Sequence, residues 1–247
     1  MLIWVTRPEP DASEQALALE RMGHLAIVEP LLETVFEDGE PLFGGGVQAV
    51  MATSRNGLRA LARRPEMARL RALPVFAVGE ATATLARTLG FGNVIAGGGS
   101  GEALARTVAA TCRPEDGMLL HPRGDRVAFD LKGALASKGF RVSQPVLYRM
   151  TARGALSPNI TGTIRDGRLG GVILMSPRTA RCYIELIESG GLGDQARRLR
   201  HFCLSAAVAE PLYPLGGMAV AVAARPCRRE LLALIAPEAD TGPDPTQ

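Results

Sequence analysis

Six short polar segments of this 247-residue chain follow an apolar run, with no more than two residues between, and lead into a helical one. They are Arg7-Pro8, Thr53-Ser54, Gly79-Glu80-Ala81-Thr82, Arg123-Gly124, Ser176-Pro177-Arg178 and Ser205. In parallel α/β sheets, ligands gather beyond the carboxyl ends of the strands. The helix that follows adds free N–H groups and a positive dipole end, which suits an anion. Backbone amides near Ser54, Gly79, Ser176 and Ser205 are therefore candidates for anion contacts. Ser54 and Ser176 also read as N-caps, with Pro177 at the first helical position, and a cap is compatible with anion binding at the same helix end. Thr82 reads either as a ligand contact or as a helix-start threonine, and Gly79 as a turn glycine. Arg7 and Arg123 offer guanidinium forks to a carboxylate, or pair structurally with Asp11 and Asp125.

Other reactive residues form no constellation. His24, His121 and His201 each adjoin a strand and read as packing or surface rather than as a base. Cys112, Cys182, Cys203 and Cys227 make no CxxC pair, which argues against both a metal site and a disulfide scaffold. There is no GxSxG, Walker A or GxGxxG motif, and Gly97-Gly98-Gly99-Ser100-Gly101 reads as a Gly-rich loop before a helix, able to hold a phosphate but without the spacing of a nucleotide fingerprint. The net charge is +3 with no Lys/Arg block, so no nucleic-acid stripe is expected. Only Lys132 and Lys138 are lysines, and an arginine-dominated surface fits an acidic ligand. The N-terminal apolar run Leu2–Val5 is too short for a signal peptide or a membrane span. A reduced, soluble, cytoplasmic protein is the simplest fit.

Ten apolar runs supply the elements that would position these segments. They are Leu2–Val5, Leu25–Val28, Val47–Ala52, Val75–Val78, Asn93–Ala96, Met118–Leu120, Val142–Gln144, Val172–Met175, Phe202–Leu204 and Met218–Val222. Ala/Leu/Arg-rich stretches of helical length separate most of them, the pattern of parallel sheets with helices on both faces. The chain also repeats. Arg7 and Arg123 lie 116 residues apart (123 − 7), as do Ala12 and Ala128, Leu19 and Leu135, and Gly23 and Gly139. Each of those glycines reads as a helix C-cap. Two series of five strands follow, hence two related doubly wound domains. Residues 30–46 do not read as a crossover helix, although parallel strands normally need one. Residues 30–35 and 146–151 both begin as extended sequence, so they are expected to pair as an antiparallel link where the chain leaves the first domain and returns.

Taken in order, Val5-Thr6-Arg7-Pro8, Thr53-Ser54, Val78-Gly79-Glu80-Ala81-Thr82, Arg123-Gly124-Asp125, Val146-Leu147-Tyr148-Arg149, Met175-Ser176-Pro177-Arg178 and Ala224-Arg225-Pro226 resemble the signature stretches of uroporphyrinogen-III synthases. The resemblance runs from residue 1 to about residue 236. It implies two flavodoxin-like, doubly wound parallel-sheet domains joined by a two-stranded β linker. Residues 1–34 plus 150–236 would form the first, residues 35–149 the second, and residues 237–247 a flexible tail. It further implies a monomer without metal or organic cofactor, acting on the linear tetrapyrrole hydroxymethylbilane, whose acetates and propionates need many anion contacts. Substrate binding is then expected at Arg7, Thr53, Ser54, Gly79, Thr82, Ser176 and Ser205.

The same resemblance makes Tyr148 the candidate catalytic residue. It puts a linker tyrosine near the end of the substrate that loses hydroxide, and a phenol keeps a proton to donate at neutral pH. Two departures stand out. Arg55-Asn56 replaces the Pro-Arg pair of some members, and Ala207 and Val208 stand where others carry threonines, so those side-chain contacts do not carry over. The rival readings are a two-lobed protein that captures a small anion without turnover and a nucleotide-dependent transferase with paired Rossmann-like domains; fold alone does not separate them. The Pro-, Gly- and Asp-containing tail is expected to add little to folding. Deleting Ala239–Gln247 should leave the melting temperature unchanged, and a large drop would show that the tail docks.

Overall fold

The computed structural model describes residues 1–37, 42 and 46–235. The tail from Pro237 onward lies outside the described residues, as does most of the acidic and Gly-rich stretch before Val47. The chain begins with β1 (Leu2–Val5), α1 (Asp11–Arg21), β2 (Leu25–Val28) and β3 (Leu32–Phe36). It continues through β4 (Val47–Ala52), α2 (Arg55–Ala62), α3 (Met67–Leu70), β5 (Val75–Ala77), α4 (Glu80–Thr88), β6 (Val94–Ala96) and α5 (Gly101–Thr111). Next come β7 (Met118–Leu120), β8 (Arg123–Gly124), α6 (Leu131–Ala136), β9 (Val142–Ser143) and β10 (Val146–Ala152). It ends with α7 (Pro158–Arg165), β11 (Gly171–Leu174), α8 (Pro177–Ser189), α9 (Gly193–Arg197), β12 (Arg200–Cys203), α10 (Ala206–Ala209), β13 (Ala219–Val222) and α11 (Arg228–Ala233).

Two compact units result, Met1–Glu33 with Thr151–Gln247, and Thr34–Met150. The first holds a five-stranded sheet in the order β13-β12-β11-β1-β2, the second a five-stranded sheet in the order β6-β5-β4-β7-β9. All neighbouring strands in both sheets run parallel. All ten sequence runs supply these strands. When β7 and β9 are matched to β1 and β2, the two orders become the same, the doubly wound flavodoxin-like order 2-1-3-4-5.

The 116-residue repeat is geometric as well. Gly23 adopts φ +80° and Gly139 φ +85°, a conformation that favours glycine. The amide of Gly23 donates to Glu20 O at 2.9 Å and that of His24 to Leu19 O at 3.0 Å. The amides of Gly139 and Phe140 make the equivalent bonds to Ala136 O at 2.9 Å and Leu135 O at 3.2 Å.

The inner strands of both sheets are buried on both faces, so they are nearly continuous apolar runs, whereas the edge strands β2, β6 and β13 are partly exposed. In β4 the side chains alternate with period two. Val50 and Ala52 pack with Leu58, Leu61, Leu120 and Leu147, whereas Ala49 and Met51 pack with Phe76, Leu104, Val108 and Leu131. In the first unit, Ile3 and Val5 pack with Leu19, Ile173, Phe202 and Leu231. Each large aliphatic side chain buried this way stabilises the fold by roughly 1.5–3 kcal/mol before entropy is counted.

The connecting strands form a third sheet, β3-β10-β8. The Arg153 amide donates to Leu31 O at 3.0 Å and the Glu37 amide to Leu147 O at 2.8 Å, so β3 and β10 run antiparallel. A third strand joins the expected pair: β8 lies parallel to β10, with Val146 opposite Arg123 and Tyr148 opposite Gly124. The added strand is only two residues long, and nothing in its Arg-Gly sequence marks it as extended. Among the described residues, no helix is long and apolar enough to cross a membrane.

The first unit also buries a histidine. His201 Nε2 lies 2.9 Å from the Tyr183 hydroxyl, Trp4 packs edge-on against Tyr183 at 5.7 Å, and Trp4 Nε1 donates to Glu29 O. Burial pushes the Tyr183 phenol upward and the His201 imidazole down to about 4. In the unfolded chain His201 takes a proton near its ordinary value of 6.5. Between those two values the unfolded state binds more protons than the folded one, so stability falls as pH is lowered through that window. His201 should account for a loss of about 3 kcal/mol between pH 7 and 4. Urea unfolding at the two pH values would measure it. An undiminished pH dependence in His201→Asn would refute the assignment.

Candidate functional site

The second unit carries a cavity of about 410 Å³ at the carboxyl edge of its sheet. Thr53 and Ser54 follow β4 and His121 follows β7, and these two strands are neighbours where the strand order reverses. Such a reversal leaves a crevice, because the connections on either side leave toward opposite faces. Val78 after β5, Gly99-Ser100-Gly101 after β6, and Arg123, Gly124, Arg126 and Phe129 after β7 complete much of the lining, with Tyr148 from β10.

Local sequence accounts for these positions. Ser54 is extended and caps α2, its Oγ accepting from the Gly57 amide at 2.9 Å. Ser100 caps α5 in the same way through the Ala103 amide at 3.1 Å. Two helix N-termini with unsatisfied amides thus open beside the cavity. Arg126 adds a guanidinium. Arg123, the other lining arginine, bends its Nη1 back onto Gly124 O at 2.9 Å and Asp125 O at 3.4 Å. Of the two readings of Arg123, a ligand carboxylate or a structural pair with Asp125, the structural one takes the form of bonds to backbone carbonyls rather than to the Asp125 carboxylate.

Tyr148 is 9% exposed, and its hydroxyl lies 2.9 Å from Ser54 Oγ. The ring rests on Gly124. A Cβ at that position would lie 2.8 Å from the ring carbons Cε2 and Cζ and 3.0 Å from the hydroxyl, so only glycine leaves the ring its seat. Thr53 Oγ1 lies 2.8 Å from His121 Nε2, and Gln144 Nε2 lies 3.0 Å from His121 Nδ1. Burial first, then the nearby Arg123 charge, push His121 down to about 4, so the imidazole is neutral at physiological pH.

Of the residues singled out in the sequence, the cavity gathers Thr53, Ser54, Arg123, Gly124 and Tyr148. Gly79 and Thr82 belong to the same unit, but the lining takes Val78 from that turn instead. Gly79 is extended, with φ −161°, and so is not the turn glycine expected; its Cβ position meets only Gly99 Cα at 3.8 Å. Thr82 is buried in α4, its amide bonded to Gly79 O at 3.1 Å. Arg7, Ser176 and Ser205 follow β1, β11 and β12, three adjacent strand ends of the first unit's sheet. Arg7 donates to Asp11 at 2.7 Å, Ser176 caps α8 through the Thr179 amide at 3.1 Å, and Ser205 precedes α10 without a side-chain cap.

Sequence reasoning passed over Arg126 and Phe129, and it read His121 as packing or surface and the Gly97–Gly101 stretch as a Gly-rich loop before a helix. The strand-end rule that picked out Ser54 would have found His121 and the Gly-rich turn, which directly follow β7 and β6. Asn56, one of the departures from the family pattern, has a local job. Its Nδ2 donates to Thr34 Oγ1 at 3.1 Å and its Oδ1 accepts from Arg59 at 2.9 Å, tying the first turn of α2 to β3. Among the described residues, no group of three or more His, Cys, Asp or Glu could hold a metal ion.

A family model described as uroporphyrinogen-III synthase HemD matches residues 13–233. No curated protein matched the sequence. Among solved structures, the chain is similar to uroporphyrinogen-III synthetase from Helicobacter pylori, at 18% identity and a TM-score of 0.64, covering 95% of this chain and 97% of that one. It is also similar to a mutant uroporphyrinogen III synthase from the extremely thermophilic bacterium Thermus thermophilus, at 16% identity and a TM-score of 0.51, covering 95% of each chain. At such identities the structural likeness speaks for the fold, and the family model, spanning most of the chain, speaks for descent: the chain belongs to the uroporphyrinogen-III synthase family.

Proposed function

We propose that the chain cyclises hydroxymethylbilane to uroporphyrinogen III, inverting ring D and releasing water, as a monomeric cytoplasmic lyase without a cofactor and without nucleic-acid partners. The observation that carries this reading is the family match across residues 13–233. The cavity supports it: helix N-termini and arginine beside a half-buried apolar wall suit a pyrrole bearing an acetate and a propionate. Carboxylates are held by the Thr53 hydroxyl and by the backbone amides around Ser54 in the second unit, with Gly79 and Thr82 on the adjoining turn. Arg7, Ser176 and Ser205 serve the same purpose at the strand ends of the first unit.

Tyr148 acts as the general acid. Ser54 Oγ already accepts from the Gly57 amide, so its own proton is free to go to the Tyr148 oxygen. The phenol proton is then available to the hydroxyl of the ring A hydroxymethyl group, and the C–O bond breaks to release water. The substituted α-carbon of ring D attacks the exocyclic carbon of the resulting azafulvenium and forms a spirocyclic intermediate. Fragmentation, recombination and loss of a ring proton, which returns to the phenolate, give the inverted macrocycle. Because the free substrate already closes without inversion, the protein mainly has to hold a conformation in which spiro attack wins.

Tyr148→Phe should slow turnover roughly ten- to a thousandfold while leaving the residual enzymatic product mostly inverted. Initial rates and isomer ratios on fresh hydroxymethylbilane, corrected for spontaneous closure, measure both. A wild-type rate would remove the phenol from the mechanism. Gly124→Ala, which pushes the same ring off its seat, should also lose at least about tenfold in rate, with an overpacking penalty of about 1–3 kcal/mol. An Ala variant of normal rate would mean that the position of the ring does not matter.

A further inference from the structure

His121 is buried, lines the cavity wall and has no place in the mechanism above. The three groups Thr53, His121 and Gln144 follow β4, β7 and β9, three consecutive strands of the sheet. Their side chains form one line of hydrogen bonds, from Gln144 Nε2 to His121 Nδ1 at 3.0 Å and from His121 Nε2 to Thr53 Oγ1 at 2.8 Å. We infer that His121 is a positioning residue that fixes the Thr53 hydroxyl as a donor toward a substrate carboxylate in the cavity.

Donor counting sets the direction of this line. With Gln144 Nε2 rather than Oε1 turned to the ring, the amide donates, so His121 Nδ1 accepts and the ring proton sits on Nε2. That N–H occupies a lone pair of Thr53 Oγ1. The threonine proton therefore has to point elsewhere, and the open volume beside Thr53 is the cavity. The opposite sense, with Thr53 donating to Nε2, would turn oxygen lone pairs toward the ligand and repel a carboxylate. A neutral imidazole is required throughout, because a doubly protonated ring could not accept from Gln144. Burial and the Arg123 charge keep it neutral. The relay also explains a polar line at the edge of an otherwise apolar sheet.

The relay takes its ligand from the proposed function, but its polarity stands without it. Nitrogen NMR of the imidazole in the full-length protein at pH 7 should show Nε2 protonated and Nδ1 bare. A proton on Nδ1 would overturn the relay whatever the substrate. With hydroxymethylbilane, Thr53→Val and His121→Leu should each raise KM about tenfold with little change in kcat, the loss of one hydrogen bond to a charged group. The double variant should be no worse than either single one, and His121→Gln, whose amide can still donate toward Thr53, should recover most of the affinity. Additive effects, a fall in kcat alone, or no rescue by Gln in a protein of normal circular dichroism would overturn the inference. A wild-type protein that does not turn over hydroxymethylbilane would instead refute the proposed function and the carboxylate with it, leaving the NMR to decide the polarity.

Discussion

A parallel sheet buried on both faces has almost nowhere to put polar chemistry. Its strands must be apolar on both sides, and its interior backbone groups are consumed by the ladders. What remains is the carboxyl edge, where the chain turns from strand to helix and the first amides of each helix lack partners. Both units of this protein are built around such a sheet. Residues as different as Thr53, Gly79, His121, Ser176 and Ser205 therefore occupy equivalent places, just beyond a strand. The strand order then selects among those places. In the second unit, the reversal between β4 and β7 opens the cavity, and the polar groups nearest that reversal line it.

The third sheet supplies what the doubly wound unit lacks. Tyr148 comes from β10, which lies outside the five-stranded sheet, and it reaches Ser54 because β8 holds β10 beside the loop that leaves β7. Gly124 is the residue that makes this approach possible. Asn56 ties the first turn of α2 to β3 and so braces the same corner from the other side. A side chain that reads as a departure from the family pattern is thus a brace, while the helix end it braces keeps its amides. The arrangement fits the proposed site, in which backbone amides carry much of the anion binding and side chains set direction.

The elements of the fold could be read in the amino-acid sequence, because burial on both faces writes itself as short continuous apolar runs. Those runs named all ten strands of the two large sheets, and Gly23 and Gly139 marked the repeat because only a residue tolerant of positive φ closes a helix in that way. Ser54 and Ser176 were legible as caps for an equally local reason. What the tertiary structure alone decided was neighbourhood. Tyr148 and Ser54 are 94 residues apart, and Thr53 and His121 are 68 apart, so no local pattern could announce either pair. His121 looked like a packing residue because its partners come from two other strand ends. Strand β8, two residues long, exists only because β10 pairs with it. Local chemistry determines which residues can cap, turn or donate, whereas the order of strands in a sheet determines which of them meet.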